Sequence, residues 1–307
     1  MRIIRVSLSN LKRSRTPMCA CIGYFDGLHK GHQELLSETV AMAKRHNCET
    51  GMITFDPDPW VVIKGMQHVR HISTMRQRMN LAVKLGMDNI ILLEFTREMS
   101  ELSPQDFIDK VLGSLNLQGL VCGFDFHFAY KGTGDTEFLK AHVPYEVEVV
   151  PPVEDEHGKI SSTRISQCIT EGRMEEAKRM LGYPFAIEGK VVHGRHRGTG
   201  MGFPTANVEF DDEYLLPKTG VYAGIATVGR KSYEAMINLG RNPTFNDIDH
   251  LSLEAYLLDF SGDLYDRHIS LAFLKYIRPE VRFQNKNNLI MQLEQDLRDI
   301  RDYFDHE

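Results

Sequence analysis

The sequence predicts an α/β domain built on a parallel sheet, followed by a β-barrel domain with a C-terminal helix. Three observations carry this. The first half of the 307-residue chain alternates short apolar runs with amphipathic segments, the pattern of a parallel sheet covered by helices. From Phe185 onward the helical period gives way to short alternating runs between turn residues, the pattern of a barrel or curled antiparallel sheet. The chain closes on an amphipathic run from about Lys286 to Tyr303, with Leu289, Leu293, Leu297 and Ile300 on one face, which is expected to pack on the barrel.

The opening run Met1 to Val6 reads as a short strand and lacks the long apolar core of a signal peptide. Met18 to Ile22, Thr50 to Phe55, Asn89 to Leu93, Leu120 to Cys122 and Val147 to Val150 read as further strands. His32 to Arg45, Thr74 to Leu85 and Pro104 to Leu115 read as the helices between them, the last introduced by Ser103 as N-cap and Pro104 at the first helical position. A polar loop, Pro151 to Gly158, precedes two helical runs, Thr163 to Glu171 and Met174 to Leu181. Glycine and proline in Gly182-Tyr183-Pro184 end the second run, which places the boundary between domains 1–183 and 184–307. Strands are then expected at Ala186 to His193, Gly220 to Val228, Ser232 to Leu239, Leu251 to Asp259 and Ile269 to Ile277.

Composition narrows the function. A net charge of −6 leaves no global basic field to gather nucleic acid, so any bound phosphate must be held by local groups. No run of about 18 apolar residues is present, so no membrane span is expected. The five cysteines form neither a CxxC pair nor a metal-like spacing, which fits a reducing cytoplasm, with Cys19 and Cys21 as small core side chains. Homo-oligomerisation is left open.

The stretch from Cys19 to His32 ends an apolar run at Gly23, turns through Tyr24-Phe25-Asp26-Gly27-Leu28, and sets His29 and His32 three apart where a helix should begin. A helix start leaves N–H groups unpaired and carries partial positive charge, so anions are stabilised there. Gly27 and Gly31 permit a sharp turn or a close approach to a ligand. Ligands of open parallel sheets bind beyond the carboxyl ends of the strands, which is where this stretch lies. Ser161, Ser162 and Thr163, with Arg164 beside them, begin a later helix and offer hydroxyl and backbone donors of the same kind.

With Gly23, Phe25, Asp26, Gly27, His29, Gly31 and His32 in fixed order, and Ser-Ser-Thr at 161–163, the sequence resembles the bacterial bifunctional riboflavin kinase/FMN adenylyltransferases, the FAD synthetases. The resemblance implies a nucleotidyltransferase-like Rossmann-type first domain in which His29 and His32 stabilise the charge that grows as the FMN phosphate attacks the α-phosphorus of ATP. It adds Asp125 and Phe126 as flavin contacts, although an Asp that merely forms the turn after a strand is an equal reading of position 125. Two positions depart from the family's usual pattern: Asp58 stands in Pro57-Asp58-Pro59 where histidine is common, and Ser166 where arginine is common. Lys131 and Lys159 are the nearby basic residues able to compensate.

In the second half, Gly198, Gly200 and Gly202 alternate with other residues before Phe203-Pro204-Thr205-Ala206-Asn207. Alone, such glycines read as a plain turn; with the following motif they read as backbone donors for a polyphosphate. Thr205 and Asn207 fall on one side of a strand and offer two hard oxygens of the kind Mg²⁺ accepts. The segment resembles the riboflavin kinase signature, and that resemblance makes Glu254 the general base and Asn238 and Arg278 flavin contacts. Without it, Glu254 reads as a solvated strand acid and Arg278 as the ion-pair partner of Glu280 or Asp259. The expected activity is therefore two ATP-dependent steps with Mg²⁺, riboflavin to FMN and FMN to FAD. A kinase with a slow or inactive transferase half, and a non-catalytic flavin or nucleotide sensor, are the alternatives.

Overall fold

The computed structural model describes residues 1–306 apart from 12, 68, 194–202, 212 and 242–250, and divides into two compact units, Met1–Ser162 and Thr163–Glu307. In the first, β1 (Arg2–Val6), β2 (Met18–Ile22), β3 (Glu49–Phe55), β4 (Asn89–Leu93), β5 (Leu117–Gly123) and β6 (Glu146–Val150) form one six-stranded sheet in the order β1-β4-β3-β2-β5-β6. Every neighbouring pair is parallel. β2 lies inside the sheet and all five of its residues are buried, which is why it reads as an unbroken apolar run. Its alternation still matters. Met18, Ala20 and Ile22 join one core with Phe107 and Leu112, while Cys19 and Cys21 join the other with Leu36 and Met42.

Helices α1 (Lys30–His46), α2 (Pro59–Lys64), α3 (Met75–Lys84), α4 (Arg97–Ser100), α5 (Pro104–Asp106) and α6 (Thr136–His142) connect the strands. Thr74 starts α3 with a full capping box, its hydroxyl taking the Gln77 N–H while the Gln77 side chain takes the Thr74 N–H. The helix expected over Pro104 to Leu115 is corrected to one α turn, a π turn at Phe107–Val111 and a 3₁₀ turn at Leu112–Ser114. Gly113 weakens the helix there, and Ser114 Oγ donates to the Val111 carbonyl at 2.7 Å, tightening its end. A two-residue hairpin, β7 (Glu154–Asp155) with β8 (Gly158–Lys159), closes the unit. From β2 the chain travels one way to β3 and β4 and later returns to β5 on the other side of β2, so the topology switches at the carboxyl end of β2.

The second unit takes in nearly all of α7 (Ser162–Glu171), then α8 (Met174–Leu181) and a closed antiparallel barrel. Its strands are β9 (Ala186–Val192), β10 (Ala206–Phe210), β11 (Gly220–Val228), β12 (Lys231–Arg241), β13 (Leu251–Leu257) and β14 (His268–Arg278), in the order β10-β13-β12-β11-β14-β9. The final helix, α9 (Lys286–His306), lays Leu293, Leu297 and Ile300 against Val221, Ala223 and Met236 on the outside of the barrel.

Candidate active sites

At the end of β2, the Gly23 N–H donates to the Ile53 carbonyl at 3.1 Å and the ladder stops. The chain then passes through left-handed φ values at Phe25 (57°), Gly27 (74°) and Leu28 (38°). Glycine adopts this conformation freely; Phe25 and Leu28 do not, and both are fully buried. Between them Asp26 is also buried, its carboxylate accepting from the Ile72 N–H at 3.2 Å and the Ser73 N–H at 3.3 Å and pairing with Arg78 at 3.3 Å. The Gly27 N–H donates to Ser73 Oγ at 3.1 Å.

His29 caps α1, with Nδ1 accepting from the His32 N–H at 3.4 Å, so in the neutral ring the proton sits on Nε2. The two rings stack with centroids 3.7 Å apart, and His32 meets the edge of Phe25 at 5.3 Å. A Cβ at Gly31 would lie 3.1 Å from the His29 ring, so glycine leaves room for the stack. Burial first, then the charge of Lys159, lowers the His29 pKa to about 4, against the opposing pull of Asp125. Burial, with His29, Arg78 and Lys159, holds His32 well below its ordinary value. The buried Nδ1 of His32 makes no hydrogen bond, leaving a polar atom at the turn for a ligand. Ser162 Oγ donates to the Asp26 carbonyl at 3.1 Å, which brings Ser162 to the same turn.

Position 58, one of the two departures from the resembled pattern, is held by several partners. Asp58 caps α2 through the Trp60 N–H at 2.6 Å, accepts from the Tyr24 hydroxyl and lies 3.7 Å from His71 Nε2, while Tyr24 also meets His71 Nδ1 at 3.1 Å. A histidine is thus present beside position 58 rather than at it. Lys159 pairs with Asp125 and lies 4.5 Å from the centre of the Phe124 ring. Phe126 instead stacks on Phe128 and packs against the sheet core. The buried thiols of Cys21 and Cys122 are pushed up to about 12 by desolvation, so neither is a nucleophile at neutral pH.

In the barrel, strand register sets the site. Val192 opposes Asn207, Asn207 opposes Glu254, Glu254 opposes Asn238, Asn238 opposes Val221, and Val221 opposes Arg278. Opposed residues of antiparallel strands share a face, so these side chains form one row across the sheet. Glu254 alternates with Leu253 and Ala255, both buried inside, and therefore stands on the outer face that α9 partly covers. Thr205 Oγ1 donates to Glu254 Oε2 at 3.2 Å, and Phe203 packs on Tyr256 with centroids 5.4 Å apart. Arg278 ends the row. Its Nε and Nη2 grip Asp296 of α9 at 2.7 and 2.6 Å, and Asp296 is fully buried. The ion-pair partner is thus neither Glu280 nor Asp259; the latter lies 3.5 Å from Arg301 instead.

Comparison with known proteins bears on both halves. A family model described as FAD synthetase matches residues 11–164, and one described as riboflavin kinase matches residues 181–304. A bifunctional riboflavin kinase/FMN adenylyltransferase of Listeria monocytogenes is 38% identical over 286 residues, 92% of this chain and 91% of that protein. One of Bacillus subtilis is 32% identical, covering 96% of this chain and 95% of its own. The chain belongs to the bifunctional riboflavin kinase/FMN adenylyltransferase family. A solved structure titled a macrolide-efflux protein from Streptococcus pneumoniae superposes with a TM-score of 0.91 at 33% identity, over 98% of this chain and 99% of that one. That title describes that protein; among the described residues here, no helix is long and apolar enough to cross a membrane.

As a member of this bifunctional family the chain is an enzyme of FAD biosynthesis with ATP as co-substrate of both halves. Of the residues singled out in the sequence, Gly23, Phe25, Asp26, Gly27, His29, Gly31, His32 and Ser162 meet at the carboxyl end of β2, with Ser161 adjacent in the chain. Thr163 and Arg164 follow in α7. Thr205, Asn207, Glu254 and Asn238 meet on the barrel. Gly198, Gly200 and Gly202 lie outside the described residues. Sequence reasoning missed Ser73, Arg78, His71 and Asp296. The capping box at Thr74 announces a helix, but nothing local announces that Arg78 returns to the turn after β2.

Proposed function

We propose that residues 1–183 transfer an adenylyl group from ATP to FMN and that residues 184–307 transfer the γ-phosphoryl group of ATP to riboflavin. The family models leave 165–180 unmatched between them, and that span falls within α7 and α8. The observation that supports this reading best is that each half gathers its own set of reacting groups, the stacked histidines at the turn after β2 and the Asn207–Glu254–Asn238 row on the barrel.

In the kinase step Glu254 accepts the proton of the ribityl 5′-hydroxyl as that oxygen attacks the γ-phosphorus and ADP leaves. Thr205 and Asn207 flank this carboxylate with hard oxygen atoms that fit Mg²⁺, which would supply neutralisation of phosphate charge. Asn238 and Arg278 lie in the same row for the flavin, Arg278 being held by Asp296. In the transferase step an FMN phosphate oxygen attacks the α-phosphorus of ATP and pyrophosphate leaves. His29 and His32 donate ring N–H bonds to the phosphates, and the backbone N–H of Gly31, with Ser161 and Ser162 and aided by Lys159, completes the cradle. Asp125 is placed by Lys159 for the flavin side, and Phe126 supports it from the core. The five free cysteines and the use of ATP support a cytoplasmic location.

Incubation of the purified protein with riboflavin, ATP and Mg²⁺ is expected to yield FMN first and FAD after it. Absence of both flavin products overturns the reading. FMN without FAD reduces it to a kinase with an idle transferase half, for which Ser166 in place of a cation would be the first suspect.

A further inference from the structure

Resting on the assignment of adenylyl transfer to the first unit, we propose that Arg78 of α3 is a positioning residue for that reaction: it holds the turn between β2 and α1 in its strained shape and so fixes where His29 and His32 present their donors. Arg78 is 3% exposed and is therefore screened from any phosphate by the turn itself. Its guanidinium makes three polar contacts. Nη2 lies 3.3 Å from Asp26 Oδ1, Nη1 reaches the Tyr24 carbonyl at 3.5 Å, and Nε donates to the Ser73 carbonyl at 3.1 Å. The group also lies 5.4 Å from the centre of the Tyr24 ring.

The first two contacts tie the turn to α3, and the third ties α3 to the segment that leads into it. Asp26 takes the Ile72 and Ser73 N–H groups, and Ser73 Oγ takes the Gly27 N–H, so the turn is clasped from both sides. A turn with two non-glycine residues at positive φ persists only where its surroundings over-determine it. The clasp supplies that. His29 follows the turn at once and caps α1 above His32, so a shift of the turn carries both rings with it. Donors to a transferring phosphoryl group act only when held at the position where charge develops, and a misplacement of about 1 Å costs on the order of a hundredfold in rate. A planar fork serves a carboxylate and two carbonyls together, whereas the ammonium of lysine is a point charge.

The test compares Arg78→Lys and Arg78→Met with wild type in the full-length protein, measuring FAD formation from FMN and ATP, FMN formation from riboflavin and ATP, and thermal unfolding. In Arg78→Lys, which keeps the buried charge, the unfolding temperature stays near wild type while kcat for FAD falls about tenfold, the value of one charge-assisted hydrogen bond. In Arg78→Met kcat falls roughly a hundredfold. KM for ATP changes little in either, and FMN formation in the same samples is unchanged. If both variants keep the wild-type kcat per folded molecule and lose only unfolding temperature, Arg78 merely holds the fold and the inference fails. Equal loss of both activities also overturns it, as general damage. A wild type that makes FMN but no FAD removes the transferase reading, and the inference with it; a wild type active in both with unaltered variants removes the inference alone. Should Arg78→Met fail to fold, Arg78→Lys carries the comparison.

Discussion

Two imidazole rings stacked 3.7 Å apart in a buried turn repel each other when charged, so the resting pair is neutral and each ring offers one N–H. The consequence is measurable. His29 is lowered from 6.5 to about 4, chiefly by burial. Below pH 6.5 the unfolded chain binds a proton at this ring and the folded chain refuses it until about pH 4. Stability therefore falls as pH drops through that window, by about 3 kcal/mol from His29 in total, and is insensitive to this group above it. Urea unfolding at pH 7.5 and at about pH 4.5 should show a smaller pH dependence in His29→Gln than in wild type, by about 2–3 kcal/mol. Equal pH dependence in the two proteins would show that the ring is not held neutral.

At the scale of elements, the barrel row is where sequence and structure meet most closely. Alternation in Leu253-Glu254-Ala255-Tyr256 puts Glu254 and Tyr256 on a shared face without saying which face; the burial of Leu253 and Ala255 and the packing of Tyr256 with α9 make it the outer one. β10, Ala206–Phe210, is read from the sequence only as the strand that carries Thr205 and Asn207, and its extent is not legible because it is short and directly follows a motif read for its chemistry rather than its period. Long periodic elements are legible, as α1, α3, β11 and α9 show, and so is the turn after β2, since a helix start and its glycines are local signals. The clasp of Arg78 on Asp26 and the grip of Asp296 on Arg278 are not, because each joins elements far apart in the chain. The second grip yields a prediction for α9. Asp296 is fully buried and Gln292 also donates to it at 2.9 Å, so Asp296→Ala leaves a largely buried guanidinium without its partner. Loss of one member of such a pair costs about 3 kcal/mol at its low end. The barrel transition in a calorimetric scan should fall by roughly 10 °C; a shift of a degree or two would mean that α9 is held by its apolar face alone.

For the whole molecule, the proposed division of labour between two compact units predicts that chemistry in one survives injury to the other. FMN is at once the product of the kinase step and the substrate of the transferase step, so the flavins present at each time report which half has failed. Glu254→Gln removes the proposed general base yet keeps a side chain able to accept from Thr205, and general-base removal typically costs 10²–10⁴ in rate. With riboflavin supplied, this variant should accumulate neither FMN nor FAD; with FMN supplied, it should make FAD at the wild-type rate. His32→Ala removes a ring whose Nδ1 is buried without a partner, so the turn loses a donor for the ligand and no internal hydrogen bond at that atom. It should convert riboflavin to FMN normally and stop there. Chromatographic separation of the flavins over time distinguishes these cases. A Glu254→Gln protein that fails with FMN as well would show that the two halves do not act independently, because the adenylyl transfer proposed for the turn after β2 draws on no side chain of the barrel row.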